Sequence, residues 1–389
     1  MIATLGLVLV VLDASPAQAQ TAAPNLDARA QVATYGELAF RNYSDAYRAA
    51  LKLQRAVNAF LANTADSDEL LSAARQAWLD ARPSYGMTEA LRFYEGPIDF
   101  GKQADGSQGP EGLINAWPLN EAYIDSVRGD PAAGIVNNTN VPITRATLIE
   151  RNAKDDEADV TTGYHAIEFL LWGQDFNPEG PGNRSARDFS GDGAPARRRE
   201  YLQVATDLLV ENLQTLVDAW APGKNNYRAR FEALDPRESV SKMLTGIATL
   251  SGFELGYERL ATALDSGSQE DEQSCFSDST DVDILANATG IANVYFGRYA
   301  NYQGVGLDVL IDAANPTINA RLKEQIARSV ALAQSIDRPF DKTLATPPGS
   351  PQRAKVEALV TSLQTQTRLL KLAGSLLGVN LVVTTEYGE

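Results

Sequence analysis

The sequence has little of what most catalytic sites are built from: one cysteine and one histidine in 389 residues. A lone Cys275 excludes an internal disulfide framework. A thiol protease also needs a histidine, and the only one lies in an apolar segment beside its own carboxylate. Cys275 therefore reads as a buried structural thiol. Positive charge is scarce as well, with 34 Lys+Arg against 50 Asp+Glu and a formal charge of −16. A surface that negative repels phosphate backbones and anionic lipid heads and attracts cations, so nucleic acid is not an expected partner. Long hydrophobic runs are missing too: no later segment reaches the ~18 uncharged apolar residues of a transmembrane helix. The apolar run that does exist, Leu5 to Leu12, is short and precedes Ala17-Gln18-Ala19, a small-x-small cleavage pattern. No Lys or Arg precedes it and Asp13 follows closely. Residues 1–19 are expected to be a signal peptide, and the mature chain to reside in the periplasm or on the outer cell surface.

Strand alternation with regular turn signals is also absent, which removes an all-β fold. What is present is helical periodicity. Ala46, Ala49, Leu53, Val57 and Phe60 recur at three- and four-residue steps, and Val356, Leu359, Val360, Leu363 and Leu370 do the same near the other end. Similar stretches run from Asp68 to Phe93, Ile143 to Trp172, Ala196 to Trp220, Ser239 to Leu264, Val282 to Tyr299 and Asn319 to Ile336. Eight helices in a chain too long for one compact core predict an all-α fold of two four-helix-bundle-like domains with a cleft between them. The Ala221-Pro222-Gly223 break places the boundary between residues 20–222 and 223–389. Long loops are expected over Gly101–Pro118, Gly173–Pro195 and the acidic Asp265–Asp281.

The most informative segment is Gly163-Tyr164-His165-Ala166-Ile167-Glu168-Phe169-Leu170-Leu171-Trp172. On a helix His165 and Glu168 lie roughly 60° apart on one face. The rest of the helix is apolar, so it must be buried and must carry two ionisable groups inward, where they need partners. Helical bundles build carboxylate metal sites from Glu-x-x-His pairs, here in reversed order. Two readings stand at this point: a metal ligand pair, or a buried imidazole satisfied by its neighbouring Glu.

Gly163-x-His165-x-x-Glu168 resembles the signature of the imelysin family, also known as imelysin-like peptidases and iron-regulated proteins. Trp78-Leu79-Asp80-Ala81-Arg82-Pro83-Ser84-Tyr85, Thr88-Glu89, Arg92-Phe93-Tyr94, Pro97-Ile98-Asp99 and Asn115-Ala116-Trp117-Pro118-Leu119-Asn120-Glu121 are similar to its first blocks. Phe253-Glu254-Leu255-Gly256-Tyr257-Glu258-Arg259-Leu260 and Gln269 to Asp278 are similar to later ones. The resemblance implies an exported two-bundle protein tied to bacterial iron uptake, with other iron-uptake components of the cell envelope as partners and a site in the cleft. By motif position His165 and Glu168 match the family's metal ligands, and Glu89 and Asp99 match acidic ligands placed opposite the histidine. The implied ion is iron, with zinc as the alternative. Gln273 departs from the pattern, since many relatives carry a histidine there.

The family's peptidase name is a separate expectation. Zincins need H-E-x-x-H and inverzincins H-x-x-E-H; Phe169 stands where the second histidine of the latter would be. With one histidine, every other ligand must be an oxygen donor, a set suited to iron, manganese or zinc. Metal binding without hydrolysis is the leading expectation, with metallopeptidase or a metal-free surface receptor as alternatives. Asp188-x-Ser190-x-Asp192-Gly193 resembles the start of an EF-hand loop, but Arg199 takes the place of its bidentate Glu. The carboxylates from Glu270 to Asp283 read as a solvated loop.

Overall fold

Apolar spacing decides where each long helix forms and which stripe it buries. The structure is a computed structural model and describes residues 26–63, 67–99, 108–177, 180–379, 381 and 383. The expected signal peptide lies outside the described residues. Helix α1 (Arg29–Leu61) buries Val32, Tyr35, Ala39, Ala46, Ala50, Leu53, Val57 and Phe60; of the stripe read from the sequence, Ala49 stays partly exposed and Ala50 is buried in its place. Helix α2 (Asp68–Gly86) starts with Asp68 and Glu69, which complement the positive end of its dipole. Helix α3 (Gly163–Trp172) is buried at every position. Helix α4 (Ala194–Trp220) closes the first group: α2 and α4 pack on α1, and α3 wedges between α2 and α4.

The second group holds α5 (Pro236–Thr249), α6 (Thr280–Phe296), α7 (Pro316–Gln334) and α8 (Pro351–Leu376). Helix α5 continues without a break into a widened π-helical stretch, Leu250–Ala261, and a last turn, Thr262–Ser266. Side-chain caps fix two starts, Asn315 on the Thr317 and Ile318 amides and Ser350 on the Arg353 amide. Helix α8 packs on α7 and on the widened stretch, α6 on α7. Helix α6 also lies against α2, which ties the two groups together. The fold is all-α; the only named strands among the described residues are the two-residue pair Arg298–Tyr299 and Tyr302–Gln303. Ala221-Pro222-Gly223 lies in the turn after α4, but one continuous buried apolar cluster runs through both helix groups.

One expected helix is two. Ile143–Trp172 forms Arg145–Arg151, then a turn, then α3. The cause is Asn152, whose side-chain oxygen accepts the Thr161 and Thr162 amides at 2.9 and 3.2 Å while its amide donates to Gly112 O. Such side-chain bonds offer the backbone an alternative to the helical ladder. Likewise α2 ends at Gly86, tightens to the 3₁₀ turn Met87–Leu91, and reverses through Phe93 and Glu95 at positive φ.

Candidate metal centre

The start of α3 explains the glycine of the motif. Gly163 has φ 85°, and a Cβ there would lie 2.4 Å from the Ile114 carbonyl oxygen. Only glycine lets the helix begin this close to the Ile114–Trp117 segment. Helix α2 holds the other side. Trp78 Nε1 donates to Tyr164 O at 2.9 Å, and Arg75 donates to Leu171 O at 2.8 Å, satisfying a carbonyl at the helix end. The Trp78-to-Tyr85 block thus works as the seat of α3.

On that seat His165 Nδ1 lies 2.9 Å from Glu168 Oε2, and neither residue has exposed surface. The other carboxyl oxygen, Oε1, accepts from Ser277 N at 2.9 Å and Ser277 Oγ at 2.7 Å. Both Glu168 oxygens are therefore engaged. His165 Nε2 is buried and has no hydrogen-bond partner. Around it stand aromatic rings: Trp117 meets the imidazole edge-to-face at 5.1 Å, and Phe276 touches both Trp117 and Phe169.

Burial sets the protonation of the pair. It raises the Glu168 carboxyl to about 8, against the opposing pull of Ser277 and the Arg82 charge. Burial also drives the His165 imidazole well below its usual range, helped by the positive charges of Arg82 and Arg259. Near neutrality the pair is thus an uncharged acid beside an uncharged imidazole, and not an ion pair. With Oε1 taking two hydrogen bonds, the acid proton belongs on Oε2, facing Nδ1.

The other two expected ligands stand in different networks. Glu89 is 1 % exposed and pairs with Arg92 at 2.6 Å and Arg259 at 2.7 Å. Burial raises its carboxyl, but the two guanidiniums outweigh it and hold the group at about 2. Arg92 also reaches Glu111, and Arg259 reaches Glu254 and Asn287. Asp99 serves a turn, accepting the Phe93, Tyr94 and Gly96 amides at 2.8, 3.1 and 2.6 Å. The structure brings His165 and Glu168 together and joins neither Glu89 nor Asp99 to them. Among the described residues, no three His, Cys, Asp or Glu side chains are gathered as metal ligands.

Two contributors escaped the sequence reading. Ser277 belongs to the Ser-Cys-Phe-Ser run, whose resemblance was visible but whose role was not. Trp117, in ring contact with His165, also lines a cavity of about 780 Å³ together with Arg92, Glu254, Glu258, Arg259 and Gln273. Acidic side chains outnumber basic ones in that lining by seven to three, so the cavity favours cations. Cys275 is buried and free, as expected of a structural thiol. In the loop resembling an EF-hand, Arg199 donates to Gly191 O at 3.0 Å, placing a positive charge where a calcium ligand would be needed.

Comparison with known proteins agrees with this architecture. The imelysin family model matches residues 39–370. A curated relative, iron-regulated protein A of Synechococcus elongatus, is 24% identical over 289 residues, covering 72% of this chain and 68% of the relative. A crystal structure described as an iron-regulated protein A precursor, from Parabacteroides distasonis, superposes with a TM-score of 0.71 at 19% identity, covering 92% of this chain and 97% of that one. An imelysin-like protein from Psychrobacter arcticum gives 0.65 at 15%, covering 93% and 99%. The helical fold is shared with both, and the match across residues 39–370 establishes that the chain belongs to the imelysin family.

Proposed function

We propose that this protein is an exported, iron-associated metal binder that captures a cation at His165 and passes it to other iron-uptake components of the cell envelope. The observation that carries the reading is the buried, unpartnered Nε2 of the only histidine, backed through Nδ1 by Glu168. A buried polar atom without a partner is costly, and an imidazole oriented by a carboxylate through its other nitrogen is the usual form of a metal-binding histidine. Glu168 acts here as the group that orients and charges the imidazole. Iron enters through the name of the Synechococcus relative, iron-regulated protein A, and zinc suits the same donors.

The oxygen donors must come to Nε2 when the ion arrives. Glu258 and Asp271 on the cavity wall are available for this, and Glu254 once it leaves Arg259. Glu89 contributes only by leaving its two arginines, and Asp99 only by giving up three backbone amides. Gln273, at the position where relatives carry histidine, lines the same cavity with a buried, unpartnered Oε1 and supplies a neutral oxygen in place of a nitrogen. Binding then proceeds with proton movement: Glu168 passes its proton to Nδ1, Nε2 releases its own, and one proton leaves per ion. Binding is favoured over hydrolysis by Phe169, which stands where an inverzincin's second histidine would be and packs on Phe276 instead.

Metal analysis and calorimetry on tag-free protein test the proposal. The expected result is one ion per chain, with affinity lost in His165→Ala. Unchanged binding in that variant would overturn it.

A further inference from the structure

We propose that Trp117 is the gate between the acidic cavity and His165, and that it admits a small metal cation with few waters, not a peptide or a bulky chelate. The inference deepens the metal-binding reading and rests on it for the identity of the ligand. Its geometric part stands by itself. His165 has no exposed surface, yet Trp117, whose ring centroid is 5.1 Å from the imidazole, lines the cavity together with Asn115, Ala116 and Pro118. The indole thus borders both the cavity and the imidazole, which does not itself line the cavity. Its planes stand at 62° to His165 and 69° to Phe276, edge-to-face contacts that break and re-form more readily than an interlocked ion-pair network.

The surroundings differ in stiffness in a way that suits a gate. Glu168 cannot turn toward the cavity without losing Ser277 and Nδ1. Helix α3 is fixed by Trp78, Arg75 and the Gly163 contact with Ile114. The Trp117 side chain is the part of the wall that can swing. With seven acidic and three basic side chains lining the cavity, cations gather at the outer face of the ring. A ligand passing one displaced indole to reach a fully buried nitrogen must be small.

Because the chain has a single histidine, acylation by diethylpyrocarbonate, read as absorbance of the modified imidazole, reports access to His165 alone and needs no metal. Wild-type protein should react slowly. Trp117→Ala should react at least about tenfold faster, reflecting an opening cost removed from a local barrier, while its urea midpoint stays near that of wild type. Trp117→Phe should restore slow reaction. Equal rates in Trp117→Ala and wild type would overturn the gate. Should Trp117→Ala fail to fold, wild-type protein decides the matter in low urea. A gate opens locally, so the rate stays nearly flat, whereas a rate rising with the full denaturant slope of unfolding would contradict it. Calorimetry with zinc or ferrous iron then separates the two claims. Fast acylation of Trp117→Ala without metal binding by any form keeps the gate and removes the metal reading.

Discussion

Glu89 and Glu168 are the same residue type, both almost wholly buried, and they are held in opposite states. Glu89 sits between two guanidiniums and stays ionised, at about 2. Glu168 has a hydroxyl, an amide and an imidazole for company and is raised to about 8. Burial pushes both upward; only the neighbouring charges differ. The consequences differ as well. The Glu89 carboxylate is charge-paired across helix groups, between Arg92 just after Met87–Leu91 and Arg259 in the widened continuation of α5, and works as a structural lock. The His165–Glu168 pair leaves one nitrogen open and carries no net charge, so chemistry is still available to it. Paired charge marks the scaffold, and a neutral pair with an open ring nitrogen marks the site.

The same substitution in each place should break this symmetry. Glu89→Gln strips the charge from a buried ion-pair network and should cost about 3 kcal/mol or more in urea unfolding at pH 6. Glu168→Gln replaces an acid that is already neutral by an amide of the same shape, and should cost less than about 1 kcal/mol. Losses of equal size would show that the two carboxyls are not in different protonation states.

Next comes pH. The Glu89 carboxyl is depressed from 4.5 to about 2, so its stabilisation is present above pH 4.5 and is lost as pH falls toward 2, on the order of 3 kcal/mol. Glu168 is raised from 4.5 to about 8, so stability of the metal-free protein should decline as pH rises between those values. Glu89→Gln should flatten the acid limb of the stability curve, and Glu168→Gln the alkaline one. The reverse assignment would sink the comparison.

Metal binding gives smaller effects. His165→Ala should weaken binding by at least about tenfold, roughly 1.4 kcal/mol. Glu168→Gln should weaken it by about tenfold while leaving the fold intact, because the orienting carboxylate is gone. Affinity should rise with pH up to about 8, where Glu168 no longer has a proton to move. Glu270→Gln, on an exposed turn, should change neither affinity nor stability by more than about 0.5 kcal/mol. If it alone abolishes binding, the acidic loop holds the ion.

The helices were legible because each buries a continuous stripe, which periodicity reports directly. The break at Asn152 was not, since one side chain competing for two amides leaves no mark in a hydrophobic pattern. The His165–Glu168 contact was legible because three residues on one helix fix it. Its completion was not: Ser277 comes from 109 residues away and Arg259 reaches Glu89 across 170. Sequence spacing puts Arg92 three residues from Glu89; only the fold brings Arg259, from the widened Leu250–Ala261 stretch, to the same carboxylate. Asp99, three residues after Gly96, could have been read as a turn cap from the Gly-Pro that precedes it.

The single histidine makes one measurement decisive. Nitrogen-15 correlation spectra of the imidazole should show one neutral ring from pH 5.5 to 8 in metal-free protein, with the proton on Nε2. On adding zinc as a diamagnetic probe, the Nε2 resonance should move to a metal-bound position and the proton should appear on Nδ1. An imidazolium that titrates near its ordinary value and ignores zinc would contradict the account.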